Sequence, residues 1–140
     1  LIDLVAATLA ELGVSRALVV HGFGGLDEIS LAGETLVAEV RGGTVRRFTL
    51  SPQDFGLAQV PLEALRGGTP HENGAMIRAL FEGASGPRRD VVLMNSAAAL
   101  VVTGLAGNFR DGAELAAWAL SSGAALEKLE QLKRFTNESP

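Results

Sequence analysis

Cysteine is absent from the 140 residues, which removes disulfide staples, thiolate nucleophiles and cysteine-rich zinc sites from consideration. The absence is compatible with a reducing compartment, and cytoplasm is the expected location. Histidine is scarce too: His21 and His71 each lack a second histidine nearby, so no zinc site is expected. The chain also lacks a basic excess. Its 12 Lys and Arg stand against 16 Asp and Glu, a net charge of -4, which argues against non-specific nucleic-acid binding by displacement of counterions from phosphate. The most apolar stretch, Val91 to Ala106, is broken by Asn95, Ser96, Thr103 and Gly104. It is shorter than the ~18 residues of a membrane span, and no membrane association is expected. No basic segment precedes an apolar run as in a signal peptide, and the first residue is Leu1 rather than Met, as in a processed or cut chain. Internal repeats and low-complexity linkers are missing as well. What is present, 47% hydrophobic and 20% charged residues, suffices for one domain with a buried core.

Periodicity sets out an α/β order. From Ile2 to Leu12, the residues Leu4, Val5, Thr8, Leu9 and Leu12 form one helical stripe, ended by Gly13. Arg16 to His21 is short, β-branched and apolar through Val20, the pattern of a strand covered on both faces and expected to run parallel to a neighbour. The loop Gly22 to Glu28 then falls at the carboxyl end of that strand, where open α/β sheets place ligands. Gly42-Gly43 reads as the turn of a hairpin joining Glu34–Val40 to Thr44–Leu50, with Leu36, Ala38 and Val40 on one face. A turn at Ser51 to Asp54 and a short helical piece at Pro61 to Leu65 follow. Thr69-Pro70-His71-Glu72 combines a capping hydroxyl, a first-turn proline and a glutamate three residues on, so a helix should run to about Glu82. Asp90 to Thr103 is expected as a buried helix, and Asp111–Leu120 and Ala124–Phe135 as two more. The tail from Thr136 to Pro140 is expected to fray.

The chemistry concentrates in VVHGFGGLDEIS, residues 19–30. Its glycines allow sharp turning and close approach, and Asp27 and Glu28 place two carboxylates together. Magnesium is typically held by one or two protein carboxylates, with water and substrate phosphates completing its shell, so the pair resembles half of a metal site. On spacing alone, such a dipeptide is more often solvated surface or a helix cap. The glycine run matches neither the G-x-x-x-x-G-K phosphate loop nor the G-x-G-x-x-G fingerprint, and G-x-S-x-G is absent. His21 is read as hydrogen-bonded to loop backbone, with substrate positioning as the alternative, and His71 as surface. Asn73 and Asn95 interrupt helical segments, which points to buried hydrogen-bonding roles. Arg46-Arg47 and Arg88-Arg89 are isolated pairs expected to be solvated. Trp118 and the six phenylalanines fit core packing better than base stacking.

The run VVHGFGGLDEIS, then Gly33 to Glu39, TLSPQDFGL, the Gly67-Gly68 and Glu72-Asn73 segment, RDVVLMNSAAAL and the last two helical stretches together closely resemble, in order, the C-terminal part of the anthranilate phosphoribosyltransferase family. The resemblance implies an α/β catalytic domain of nucleoside phosphorylase and phosphoribosyltransferase type, a mixed sheet with surrounding helices. It also implies a magnesium-dependent homodimer that joins phosphoribosyl pyrophosphate to anthranilate in tryptophan biosynthesis, with the metal on Asp27 and Glu28. Gly24 is a minor departure from the family pattern. The family's small helical domain, its Gly-Thr-Gly-Gly-Asp pyrophosphate loop, its Asn-x-Ser-Thr and Lys-His-Gly-Asn-Arg segments and its anthranilate-contacting arginine lie N-terminal to the matched part. Residues 1–140 are therefore expected to be the C-terminal portion of the large domain and inactive alone. A pyrimidine nucleoside phosphorylase and a non-catalytic nucleic-acid-binding relative are the alternatives on the same fold.

Overall fold

A computed structural model describes residues 1–137. Helix α1 (Ile2–Glu11) leads into strand β1 (Arg16–His21), and a loop containing a 3-10 turn at Phe23–Gly25 precedes β2 (Thr35–Arg41) and β3 (Thr44–Leu50). Two further 3-10 turns, Pro52–Phe55 and Leu62–Leu65, connect to α2 (Pro70–Phe81), α3 (Pro87–Val102), α4 (Phe109–Ser121) and α5 (Ala124–Asn137). No helix among the described residues is long and apolar enough to cross a membrane.

The strands form one sheet in the order β1-β2-β3. Gly42 and Gly43, both at positive φ, close the β2–β3 hairpin, because two left-handed central residues match the twist of the flanking strands. Along β2 the side chains alternate between two cores. Ala38 and Val40 pack with Ala6, Ile2, Leu9 and Ala10 of α1, together with Ala17 and Val19 of β1. Val37 faces the other way, into a larger cluster with Ile29, Leu31, Leu50, Phe55, Met94, Ala97, Ala98 and Ala113, joined by Leu18 and Val20. The strand β1 is thus covered on both faces, as its unbroken apolar run implies.

Small residues let α3 and α4 come close: a Cβ on Gly112 would sit 3.0 Å from the Cα, Cβ and carbonyl oxygen of Ala97. Phe109 ties α4 to the sheet side, with its ring centroid 5.3 Å from that of Phe55 and 6.4 Å from that of Phe48.

The α/β class and the order of elements agree with the sequence. Four expectations need correction. The strand β1 pairs antiparallel with β2, Arg16 opposite Arg41 through His21 opposite Leu36, so the mixed sheet expected of the whole domain is represented here by three antiparallel strands. Burial on two faces does not encode strand direction, which depends on a partner distant in sequence. Second, α1 buries Ala6 and packs the partly buried Ile2, Leu9 and Ala10 beside it, so that of the expected stripe only Leu9 faces the core. Leu4 is 67% exposed and Leu12 74%, because the alanines permit a closer seat on the small residues of β2. Third, Trp118 is 63% exposed on α4 rather than in the core, and Phe23 and Phe135 are exposed as well. Fourth, Thr136 and Asn137 continue α5, their side chains bonding back to the carbonyls of Leu132 and Lys133. The rest of the expected frayed tail, residues 138–140, lies outside the described residues.

Candidate functional site

The glycine-rich loop leaves the end of β1 and closes on itself at once. Gly22 donates its N–H to the carbonyl of Leu26 at 2.9 Å, and the N–H of Gly25 returns to the carbonyl of Gly22 at 3.1 Å. Gly24 and Gly25 take φ of 78° and 80°, a region that side-chain-bearing residues enter only at a cost. Gly22 itself has ordinary dihedrals and is needed for space: a Cβ there would overlap the carbonyl oxygen of Glu28. The loop is therefore a pinned turn that projects Asp27 and Glu28, both exposed.

Immediately after the pair, the backbone enters the core and is held at every step. Ile29 donates its N–H to Asn95 Oδ1 at 2.9 Å, and Asn95 Nδ2 donates to the Ile29 carbonyl at 3.0 Å. Ser30 donates its N–H to Thr35 Oγ1, and Ala32 donates to Ser30 Oγ. Gln59 Nε2 caps the Ala32 carbonyl, and the N–H of Val60 reaches the carbonyl of Leu31. The two carboxylates thus stand in front of a buried, hydrogen-bonded shelf.

The carboxylates open onto different cavities. Asp27 borders a cleft of about 620 Å³ that His21, Leu26 and Leu36 share with Leu1, Ile2 and Asp3 of the α1 end. Glu28 borders an open depression of about 260 Å³ with Leu62, Glu63, Leu65 and Arg66. Partial desolvation, and secondarily the neighbouring charge of Asp27, push the Glu28 carboxyl above the usual carboxylate range. Neither carboxylate has an ion-pair partner among the described residues. Hard oxygen donors on a fixed loop, exposed and without a protein cation, suit a hard divalent ion such as magnesium. Among the described residues no group of three or more acidic, histidine or cysteine side chains gathers around them, so water and a phosphorylated ligand would have to fill most of the coordination shell.

Of the other candidates, His21 lines the cleft that Asp27 borders, and the rest lie on the surface or take structural roles. His21 is exposed at the strand end and its side chain makes no hydrogen bond among the described residues, contrary to the expected bond to loop backbone. His71 is on the surface, as expected. Asn73 makes a clamp of the kind seen at Asn95, but at the surface rather than buried as expected, accepting from the N–H of Gly68 at 2.8 Å and donating to its carbonyl at 3.1 Å. The side chains of Arg46 and Arg47 are solvated as expected, 72% and 70% exposed, and Arg88 is exposed as well, each reaching a partner from the surface. Arg46 binds Glu39, Arg47 binds Asp3, and Arg88 donates to the Arg66 carbonyl. Local sequence could not reveal these partners, because they come from α1, from β2 and from the turn before α2. That Arg66 lines the same depression as Glu28, without pairing with it among the described residues, was also not visible in sequence. Asn95 did carry a signal, an amide in an apolar, alanine-rich helix, although its partner did not.

Residues 1–126 match the family described as "Glycosyl transferase family, a/b domain". An anthranilate phosphoribosyltransferase of Thermomicrobium roseum is 56% identical over 140 residues, covering 98% of this chain and 40% of the relative. One from Pelotomaculum thermopropionicum is 52% identical over 136 residues, covering 97% of this chain and 39% of the relative. The crystal structure of anthranilate phosphoribosyltransferase from Thermus thermophilus superposes with a TM-score of 0.81 at 42% identity, over 90% of this chain and 37% of that one. The Saccharomyces cerevisiae enzyme in complex with PRPP and Mg gives a TM-score of 0.73 at 30% identity, over 83% of this chain and 34% of that one. The chain spans about two fifths of the length of these curated relatives.

Proposed function

Because this chain belongs to the glycosyl transferase family, whose a/b domain it matches, we propose that it is the C-terminal portion of the large α/β domain of an anthranilate phosphoribosyltransferase. The observation that carries this reading is 56% identity across 98% of the chain to a protein named for that activity. The complete enzyme transfers phosphoribose from phosphoribosyl pyrophosphate to the amine of anthranilate and releases pyrophosphate, a step of tryptophan biosynthesis. It works in the cytoplasm as a homodimer. Large apolar side chains exposed on α1, α4 and α5, among them Leu4, Leu12, Trp118 and Phe135, support a segment whose surface belongs inside a bigger protein.

In this reading Asp27 and Glu28 hold magnesium, which when bound neutralises charge accumulating on the departing pyrophosphate. The carboxylates serve as ligands and not as acid or base. The pinned turn from Gly22 to Leu26 fixes where they stand, and the shelf from Ile29 to Ala32 prevents the loop from retreating. In the complete enzyme, Asp27→Asn and Glu28→Gln are each expected to raise the magnesium concentration for half-maximal activity by at least about tenfold, the effect of losing one charge-assisted contact. An unchanged magnesium titration would overturn the assignment.

A further inference from the structure

Asn95 lies on α3, 66 residues beyond the loop it touches. Its amide is used up in one arrangement: Oδ1 accepts from the N–H of Ile29 at 2.9 Å, while Nδ2 donates to the carbonyls of Ile29 and Val91, each at 3.0 Å. Both backbone groups of Ile29 are therefore taken by a single side chain, in the manner of a one-residue strand pairing. Ile29 is the residue directly after Glu28 and is itself buried at 1% exposure. The opposite end of the loop is closed by Gly22 against Leu26, so Asp27 and Glu28 are suspended between two fixed points. We propose that Asn95 is a positioning residue for this carboxylate pair: by clamping Ile29 to α3 it sets where Asp27 and Glu28 present their oxygens to a divalent cation.

The inference rests on the reading of Asp27 and Glu28 as metal carboxylates. Metal ligands bind best when the groups behind them fix their orientation, and removing such support typically weakens metal affinity about 10- to 100-fold. The bond from Asn95 to Val91 is a different matter, since it serves only the helix. The two roles can be separated with serine, whose hydroxyl bonds readily to the carbonyl four residues earlier in its own helix and is too short to reproduce the pairing with Ile29.

The test uses the full-length enzyme carrying this segment, with Mn2+ as the probe and its dissociation constant read by electron paramagnetic resonance. Asn95→Ala and Asn95→Ser are each expected to weaken Mn2+ binding about tenfold, the low end of the effect of lost supporting contacts. The magnesium concentration for half-maximal activity should rise in parallel, with kcat at saturating magnesium held within about threefold, because the ligands themselves remain. Glu39→Ala, a destabilising change toward the far end of the sheet, should leave Mn2+ affinity unaltered and so separates positioning from general loosening of the fold. Should Asn95→Ala fail to fold, Asn95→Ser carries the measurement. Mn2+ affinity unchanged in the Asn95 variant, alongside a loss in Asp27→Asn and Glu28→Gln, overturns the positioning role alone. Unchanged affinity in the Asp27 and Glu28 variants as well overturns the metal reading and this inference with it.

Discussion

Gly22 and Gly25 differ in what they ask of a side chain, and alanine at each should tell the two demands apart. At Gly22 an added methyl overlaps the Glu28 carbonyl, so the loop base must open, with an expected cost of about 1–3 kcal/mol as in other overpacked sites. At Gly25 the surroundings are open and only the left-handed backbone is penalised, at roughly 1–2 kcal/mol. Chemical denaturation would show comparable losses of stability for the two. Magnesium dependence should separate them, because only Gly22→Ala displaces the backbone that carries Glu28. A Gly22→Ala enzyme with normal magnesium half-saturation would contradict this account of the loop. Glu72 offers a second test at this scale. The hydroxyl and then the backbone N–H of Thr69 hold its carboxyl below the usual carboxylate range. A lowered pKa means that the folded state prefers the ionised form, so the contribution is present above the ordinary carboxylate pKa and lost as pH falls through the lowered one. The difference in melting temperature between the native protein and Glu72→Gln should accordingly shrink on acidification, and a constant difference would show that the capping box does not depend on the charge.

Glu39, at 7% exposure, links all three strands by facing Arg46 of β3 at 3.0 Å and Arg16 of β1 at 3.6 Å. Arg46 is largely solvated and can do without its partner, whereas Arg16 is more enclosed, and its Nε already lacks a hydrogen-bond partner among the described residues. Glu39→Ala is therefore expected to cost about 1–3 kcal/mol, the penalty of stranding a partly buried donor, and Arg46→Ala a comparable amount, because it removes both hydrogen bonds that the buried Glu39 carboxylate receives among the described residues. No loss of stability for either variant in a urea titration would contradict this account of Glu39. The elements legible in sequence were those specified locally. Thr69 and Glu72 cap α2 as their spacing implies, and Gly42-Gly43 turns the hairpin where expected. What the sequence hid was settled by distant partners. The direction of β1 depends on β2 lying across a long loop, and the seat of α1 depends on Ala38 and Val40 favouring alanine over leucine. At the site, Asp27 and Glu28 stood out as a pair, whereas their separate cavities and the clamp on Ile29 required the folded chain.

Over the whole molecule, one sheet joins a small core under α1 to a larger one under α3 and α4, and the proposed metal pair stands on a loop at the end of β1. Two carboxylates without a phosphate-binding partner surface cannot bring two substrates together. The 140 residues prepared alone should therefore show no micromolar binding of phosphoribosyl pyrophosphate with magnesium by isothermal titration, and such binding would contradict the partial-enzyme reading. The clamp between Ile29 and Asn95 also bears on the order in which the molecule is made. At about 5–20 residues per second, a ribosome adds Asn95 roughly 3–13 s after Ile29. During that interval the nascent loop carries its acidic pair without the amide that anchors it, so newly made chains would acquire a defined cation site only once α3 has emerged and docked.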